Sequence, residues 1–172
     1  HSFRQAVGYV TQESVMYSGT IRQNLLYGLD RTPDDRELDR VCEAVGILDF
    51  VQEQPEGYDT PVGEAGASLS GGQRQRFSVA RALLQKSDIR LLDEATAAMD
   101  IAGKDCVWKS IRTLMAGKTV VYVAHDAQTL QNADWILVLE HGTVTAAGLR
   151  QTVMQQSAFC REMMDLKGGA SA

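Results

Sequence analysis

Two short stretches of this chain carry residue types suited to phosphate chemistry. Leu69-Ser70-Gly71-Gly72-Gln73 is a small, glycine-rich turn that opens a helix. The first N–H groups of a helix have no intrahelical partner and sit at its positive dipole end, so such a turn favours a phosphate. Ile89-Arg90-Leu91-Leu92-Asp93-Glu94 is an apolar strand that ends in two adjacent carboxylates. That arrangement suits a metal-assisted hydrolysis. A further acid, Asp100, closes the loop Ala95-Thr96-Ala97-Ala98-Met99-Asp100.

Positioning these groups requires alternating strands and helices. The chain begins inside a strand, Ala6-Val7-Gly8-Tyr9-Val10, followed by the polar loop Thr11-Gln12-Glu13-Ser14. Ser18-Gly19-Thr20 can cap a short helix through Ile21, Leu25 and Leu26. From Asp34, residues Leu38, Val41, Cys42, Val45 and Leu48 form a one-sided apolar stripe, which predicts a helix with acids at its favourable N-terminal end. The stretch 52–66 reads as a loop. The helix after Ser70 places Phe77, Ala80, Leu83 and Leu84 on one face and Arg74, Arg76 and Arg81 elsewhere. Strands are expected at Ile89–Asp93, Thr119–Ala124 and Trp135–Leu139, and helices at Lys104–Met115, Gln128–Asn132 and, weakly, Gln151–Leu166. His141-Gly142 makes a tight hairpin turn into Thr143–Ala147, and Lys167–Ala172 reads as a frayed tail. Short, continuously apolar strands alternating with helices predict an α/β fold with a buried, largely parallel sheet.

Composition narrows the function classes. A chain of 172 residues with 44% hydrophobic and 23% charged residues is ordinary for one globular domain. A net charge of −5 argues against nucleic-acid binding through a general basic field. No apolar run is long enough to span a bilayer, and no signal peptide is visible. Cys42, Cys106 and Cys160 are far apart without metal-ligand spacing, so they are expected to pack as small apolar side chains in a reducing compartment.

The order of motifs resembles that of ATP-binding-cassette ATPases. Leu69–Gln73 is similar to their signature motif, Ile89–Glu94 to their Walker B strand with its catalytic glutamate, and Ala97–Asp100 to their D-loop. His125 occupies the switch-histidine position, and Gln12 sits where the Q-loop glutamine follows a strand. Thr20-Ile21-Arg22-Gln23-Asn24-Leu25 and Tyr58–Gly66 are similar to segments of the exporter subclass, the latter to one that contacts the membrane domain. The resemblance covers roughly residues 8–148. It implies a P-loop NTPase-like core with a small helical subdomain, divided as 1–17 core strand and Q-loop, 18–87 helical signature subdomain, 88–150 further core, and 151–172 C-terminal helix and tail.

The same resemblance assigns roles. Glu94 is the general base that polarises the attacking water, and His125 hydrogen-bonds the γ-phosphate and orients Glu94 or that water. Asp93 holds Mg²⁺ through a water and Gln12 gives it a neutral oxygen. Ser70, Gly71 and Gly72 close over ATP held by a second nucleotide-binding domain, paired head to tail, and Gln73 reaches the ribose or stays on the helix surface. Asp100 lies across that dimer interface. The expected cofactors are ATP and Mg²⁺. The expected partners are the second domain and a transmembrane domain, not nucleic acid, at the cytoplasmic face of the cell membrane. Each residue also has a plainer reading: Ser70 as a helix cap with a glycine turn, Asp93 as a turn cap, Glu94 as a solvated acid, Gln12 as a loop residue, and His125 as a structural histidine.

Four features depart from the pattern. A phosphate-binding Gly-x-x-x-x-Gly-Lys-Ser/Thr loop occurs nowhere in the 172 residues. In the family it precedes the Q-loop, so the chain resembles the C-terminal two thirds of the domain, and the expectation is a marginally stable piece with bare apolar sheet surface. Arg90 interrupts the apolar Walker B run and must meet an acid, a helix end or solvent. Ala97-Ala98 lacks the D-loop serine, and Asp126 follows the histidine where many exporters carry arginine. Two other readings stand beside the exporter ATPase. One is a non-catalytic piece that donates its signature to a partner's ATP. The other is a chromosome-maintenance or DNA-repair ATPase, against which the missing heptads and the acidic balance weigh.

Overall fold

In the computed structural model, which describes residues 7–63, 66 and 68–165, the chain begins with the strand β1 (Val7–Val10). A two-residue strand β2 (Gly19–Thr20) runs into helix α1 (Ile21–Leu26), where Thr20 and Gln23 form a reciprocal capping box. Helix α2 (Asp35–Ala44) is capped by Asp34, whose carboxylate accepts from the Glu37 N–H, and helix α3 (Leu48–Gln52) follows. The short strand β3 (Pro61–Val62) pairs antiparallel with β2. Helix α4 (Gly71–Leu84), strand β4 (Ile89–Leu92), helix α5 (Ile101–Leu114) and strand β5 (Thr119–Tyr122) complete the first of two compact units, which ends at Val123.

The parallel sheet expected from the sequence is present, in the order β1-β4-β5. Its register aligns Val10, Leu92 and Tyr122, so the carboxyl ends of all three strands lie side by side. One face presents Val10 and Leu92 to a core that includes Leu38, Val41, Phe77, Ala80, Leu84, Val107 and Ile111. The indole of Trp108 packs on the Tyr122 ring with centroids 4.6 Å apart. The opposite face carries the row Tyr9, Leu91 and Val121, of which Tyr9 is 57% and Val121 52% exposed. Among the described residues the sheet is thus covered on one face, while the other leaves Tyr9 and Val121 exposed and Leu91 half-buried. The cysteines follow their expected packing most closely at Cys42 and Cys160, which are buried; Cys106 is half-buried.

Arg90 lies on the covered face, only 3% exposed. Of its three possible environments it takes the helix end. Its guanidinium donates to the carbonyl oxygens of Ala82 (2.8 Å), Ser87 (2.8 Å), Ile89 (3.3 Å) and Gln85, all at or just past the C-terminus of α4. A fixed positive charge there satisfies carbonyls that the helix leaves unpaired and matches its dipole. Gly8 makes room for it: a Cβ at Gly8 would lie 2.7 Å from Arg90 Cδ and 2.8 Å from Gln85 Oε1. Gly8→Ala is accordingly expected to cost about 1–3 kcal/mol through overpacking. A thermal midpoint equal to the parent's would show instead that the arginine stem moves aside freely.

The second unit runs from Ala124. Helix α6 (Ala127–Gln131) precedes the antiparallel hairpin of β6 (Trp135–Glu140) and β7 (Thr143–Leu149). His141 and Gly142 turn the hairpin with φ of +50° and +76°, the two positive values that a type I′ connection requires. The helical stretch expected at Gln151–Leu166 is two helices, α7 (Arg150–Gln156) and α8 (Ala158–Asp165). The break falls at Ser157, whose hydroxyl accepts from the Cys160 N–H at 3.2 Å. Leu166 and the tail lie outside the described residues. Leu130, Ile136, Val138, Val153 and Cys160 form this unit's own core.

Candidate functional site

The carboxyl ends of β1 and β4 bring together two of the residues singled out in the sequence. Gln12, two residues beyond β1, donates from Nε2 to Oε2 of Glu94 at 2.8 Å across 82 residues of chain. Asp93 is placed beside them by its N–H, which donates to Val10 O at 2.9 Å and extends the sheet ladder by one residue. A carboxylate and a carboxamide at adjacent strand ends are oxygen donors of the kind Mg²⁺ prefers. By donor type Asp93 and Gln12 suit Mg²⁺, although among the described residues no cluster of three or more acidic, histidine or cysteine side chains gathers to hold a metal.

Glu94 is held in an unusual backbone conformation. Its φ of +48° lies in the left-handed region, which costs a non-glycine residue roughly 1–2 kcal/mol. Its carbonyl accepts from the Ala97 N–H at 3.1 Å and from Gln75 Nε2 at 3.1 Å. The other end of the same carboxamide, Gln75 Oε1, accepts from the Ala98 N–H at 2.7 Å. One buried glutamine of α4 thus pins both ends of the loop that carries Glu94. Nothing in the sequence marks it, because a single polar residue in a helix gives no periodic signal.

The signature turn lies against the same loop. Ser70 caps α4: its hydroxyl accepts from the Gln73 N–H at 3.1 Å, while Gln73 Oε1 accepts from the Ser70 N–H at 2.8 Å. Ser70 and Gln73 thus close a reciprocal capping box, with Gln73 turned back onto Ser70. Cβ atoms at Gly71 and Gly72 would stand 3.5 Å from Ala98 Cβ and 3.3 Å from Ala98 O. Ser70, Gly71, Gly72, Gln73, Arg76, Ala98, Met99 and Asp100 line a cleft of about 410 Å³. Asp100 caps α5, its Oδ1 accepting from the Gly103 N–H at 2.9 Å. Arg76 crosses behind it to donate to Val45 O at 2.5 Å.

His125 belongs to the second unit, where its side chain is exposed. Asp126, the departure from the exporter pattern, has a local task that arginine could not perform. It caps α6, its Oδ1 accepting from the Thr129 N–H at 2.7 Å.

The two exporter-like segments, distant in sequence, meet in the first unit. β2 and β3 pair, and the Ile21 N–H donates to Thr60 O at 3.0 Å. Arg22 bridges Asp59 at 3.1 Å and Asp35 at 2.5 Å and lies over the Tyr58 ring. Those two contacts, Asp35 having the larger effect, raise the affinity of the Arg22 guanidinium for its proton, and Arg22 in turn holds the Asp35 carboxyl below its ordinary range. Glu64 and Ala65 of the same segment lie outside the described residues. Beside it, Tyr17 and Tyr27 stack with centroids 3.9 Å apart, with the Arg81 guanidinium 5.5 Å and 5.7 Å from their rings. Residue spacing gives no sign of this partly exposed aromatic pair, since ten residues of turn and helix separate its members.

Comparison with known proteins is consistent in kind. The model of the ABC transporter family matches residues 1–97. The chain is 42% identical over 154 residues to the ABC transporter BEA3 of Gibberella fujikuroi, covering 90% of this chain and 12% of that protein. It is 40% identical over 153 residues to an ATP-dependent lipid A-core flippase of Syntrophus aciditrophicus, covering 89% of this chain and 25% of the flippase. Its structure is similar to that of a bacterial Atm1-family ABC exporter with ATP bound, at a TM-score of 0.89 and 34% identity, over 98% of this chain and 30% of that one. The chain thus spans about an eighth to a third of the length of these relatives.

Proposed function

The chain belongs to the ABC transporter family, and from that premise we propose that it forms part of the ATP-hydrolysing engine of a membrane exporter. The observation that carries this reading is the Gln12–Glu94 hydrogen bond at the carboxyl ends of adjacent parallel strands, with Asp93 next to it. A general base must be aimed before it can act, and Gln12 aims this one. Glu94 accepts or orients the proton of the water that attacks the γ-phosphate of ATP. Asp93 and Gln12 would hold Mg²⁺, which when bound would neutralise charge on the phosphoryl oxygens.

Gly71 and Gly72 let α4's N-terminal backbone approach ATP held by a second nucleotide-binding domain, Ser70 offers its hydroxyl, and the cleft they line with Asp100 is the surface that partner would cover. The paired segments 19–25 and 58–63 dock on the transmembrane domain. Gln12, which donates to Glu94, and the 60–66 loop would pass the motion of the membrane helices to the ATPase core. The location that follows is the cytoplasmic face of the membrane.

Phosphate release by the intact transporter tests this reading. Turnover is expected to vanish in excess EDTA and to return with added Mg²⁺, and double-stranded DNA is expected to leave the rate unchanged. A rate that persists without divalent metal would mean that Asp93 and Gln12 do not act through Mg²⁺. Stimulation by DNA would favour a chromosome-maintenance ATPase.

A further inference from the structure

We propose that Gln75 is a positioning residue that couples the signature turn to the general base of the same chain, so that one nucleotide site sets the readiness of the other. The inference rests on the reading of Glu94 as base and of Ser70–Gly72 as the contact for a partner's ATP. Gln75 is 5% exposed and lies one helical turn beyond Gly71 and Gly72. Its carboxamide spends both functions on one loop, donating to Glu94 O at 3.1 Å and accepting from Ala98 N at 2.7 Å. Gly71 and Gly72 press on the same Ala98, so that even a methyl group at Gly72 would stand 3.3 Å from Ala98 O.

The signature turn, Gln75 and the Ala98 end of the loop therefore form one packed joint. At the other end of the joint stands Glu94 with a φ of +48°. A left-handed non-glycine residue persists only where its surroundings over-determine it. Two hydrogen bonds at the Glu94 carbonyl do so here, one from within the loop and one from α4. A small shift of α4 as a phosphate seats on its N-terminus is carried by the Gln75 amide to the Glu94 backbone. From there it reaches the carboxylate that Gln12 holds. Because the signature serves one ATP and Glu94 another, the device links the two sites.

The test uses the intact transporter carrying Gln75→Glu, which keeps size and the acceptor for Ala98 but cannot donate to Glu94 O. Expected is a fall in kcat of tenfold or more, with KM for ATP within twofold of the parent and ATP-driven closure, read by the distance between labels on the two domains, retained. The dependence of rate on ATP concentration is expected to lose cooperativity. In a Glu94→Gln background the same substitution is expected to add no further slowing, because Gln75 acts through Glu94. Gln75→Leu, which removes both hydrogen bonds, is expected to match or exceed the first variant's fall.

An unchanged kcat overturns the inference. So does a parallel loss of kcat, KM and closure, the pattern of a merely structural residue, or a loss of folded protein in both variants. Full additivity with Glu94→Gln also overturns it. If Glu94→Gln alone leaves turnover at the parental rate, the assignment of the base fails instead, and the Gln75 kinetics still report whether the joint exists.

Discussion

Glu94→Gln in the intact transporter is expected to slow ATP hydrolysis by about 10²–10⁴-fold, the usual contribution of a positioned general base, with ATP binding unimpaired. The substitution is nearly isosteric. The new amide oxygen can still accept from Gln12 Nε2, as Glu94 Oε2 does at 2.8 Å. The carbonyl retains its bonds from Ala97 and Gln75, and the left-handed φ of +48° is no harder for glutamine than for glutamate. What disappears is the capacity to take a proton. Single-turnover phosphate release beside equilibrium binding of a fluorescent nucleotide separates the two effects. A rate within threefold of the parent would remove Glu94 from the chemistry.

Arg90→Leu is expected to cost stability rather than chemistry, by about 3 kcal/mol or more. Each hydrogen bond to a charged group is worth about 1.5–3 kcal/mol, and every buried carbonyl left without a partner adds its own desolvation penalty. The carbonyls of Ala82, Gln85 and Ser87 lose the guanidinium together, while Ile89 O keeps its bond from the Ser87 hydroxyl. Burial lowers the affinity of Arg90 for its proton, with Asp88 opposing, but a guanidinium remains charged, so the site is a charge solvated by backbone. Arg90→Lys is expected to fall between, since a single ammonium cannot reach so wide an arc of acceptors. Limited proteolysis of the intact protein in a urea series reads the difference. A shift under 1 kcal/mol would mean that water replaces the arginine at no cost.

How much of the molecule is legible in its sequence depends on the range over which each feature is decided. Ser70-Gly71-Gly72-Gln73 and the Asp93-Glu94 strand end are local, and the cap and the strand stand where the residue types put them. The apolar pattern starts α5 three residues late, at Lys104 instead of Ile101, because Gly103 looks like a helix breaker. In the structure that glycine is kept small by Arg76 and Asp100, which occupy the space where its Cβ would stand. The strand expected to reach Ala124 stops at Tyr122. Arg90 is visible as an anomaly, yet choosing among acid, helix end and solvent requires knowing that the C-terminus of α4 lies over β4. Gln75, Tyr17 and Tyr27 give no signal, since their roles depend on partners brought close only by the fold.

The order of the parallel sheet also has a consequence for how the chain is made. β1 lies at one side of the sheet with β4 as its neighbour, and the register joins Val7 to Ile89. On the ribosome, Val7-Gly8-Tyr9-Val10 is therefore synthesised 82 residues before its partner strand. At about 5–20 residues per second the wait for β4 is roughly 4–16 s, during which β1 is open on that side to chaperones or to other nascent chains. Codons that slow translation between β1 and β4 lengthen that interval and are expected to lower the yield of folded chain.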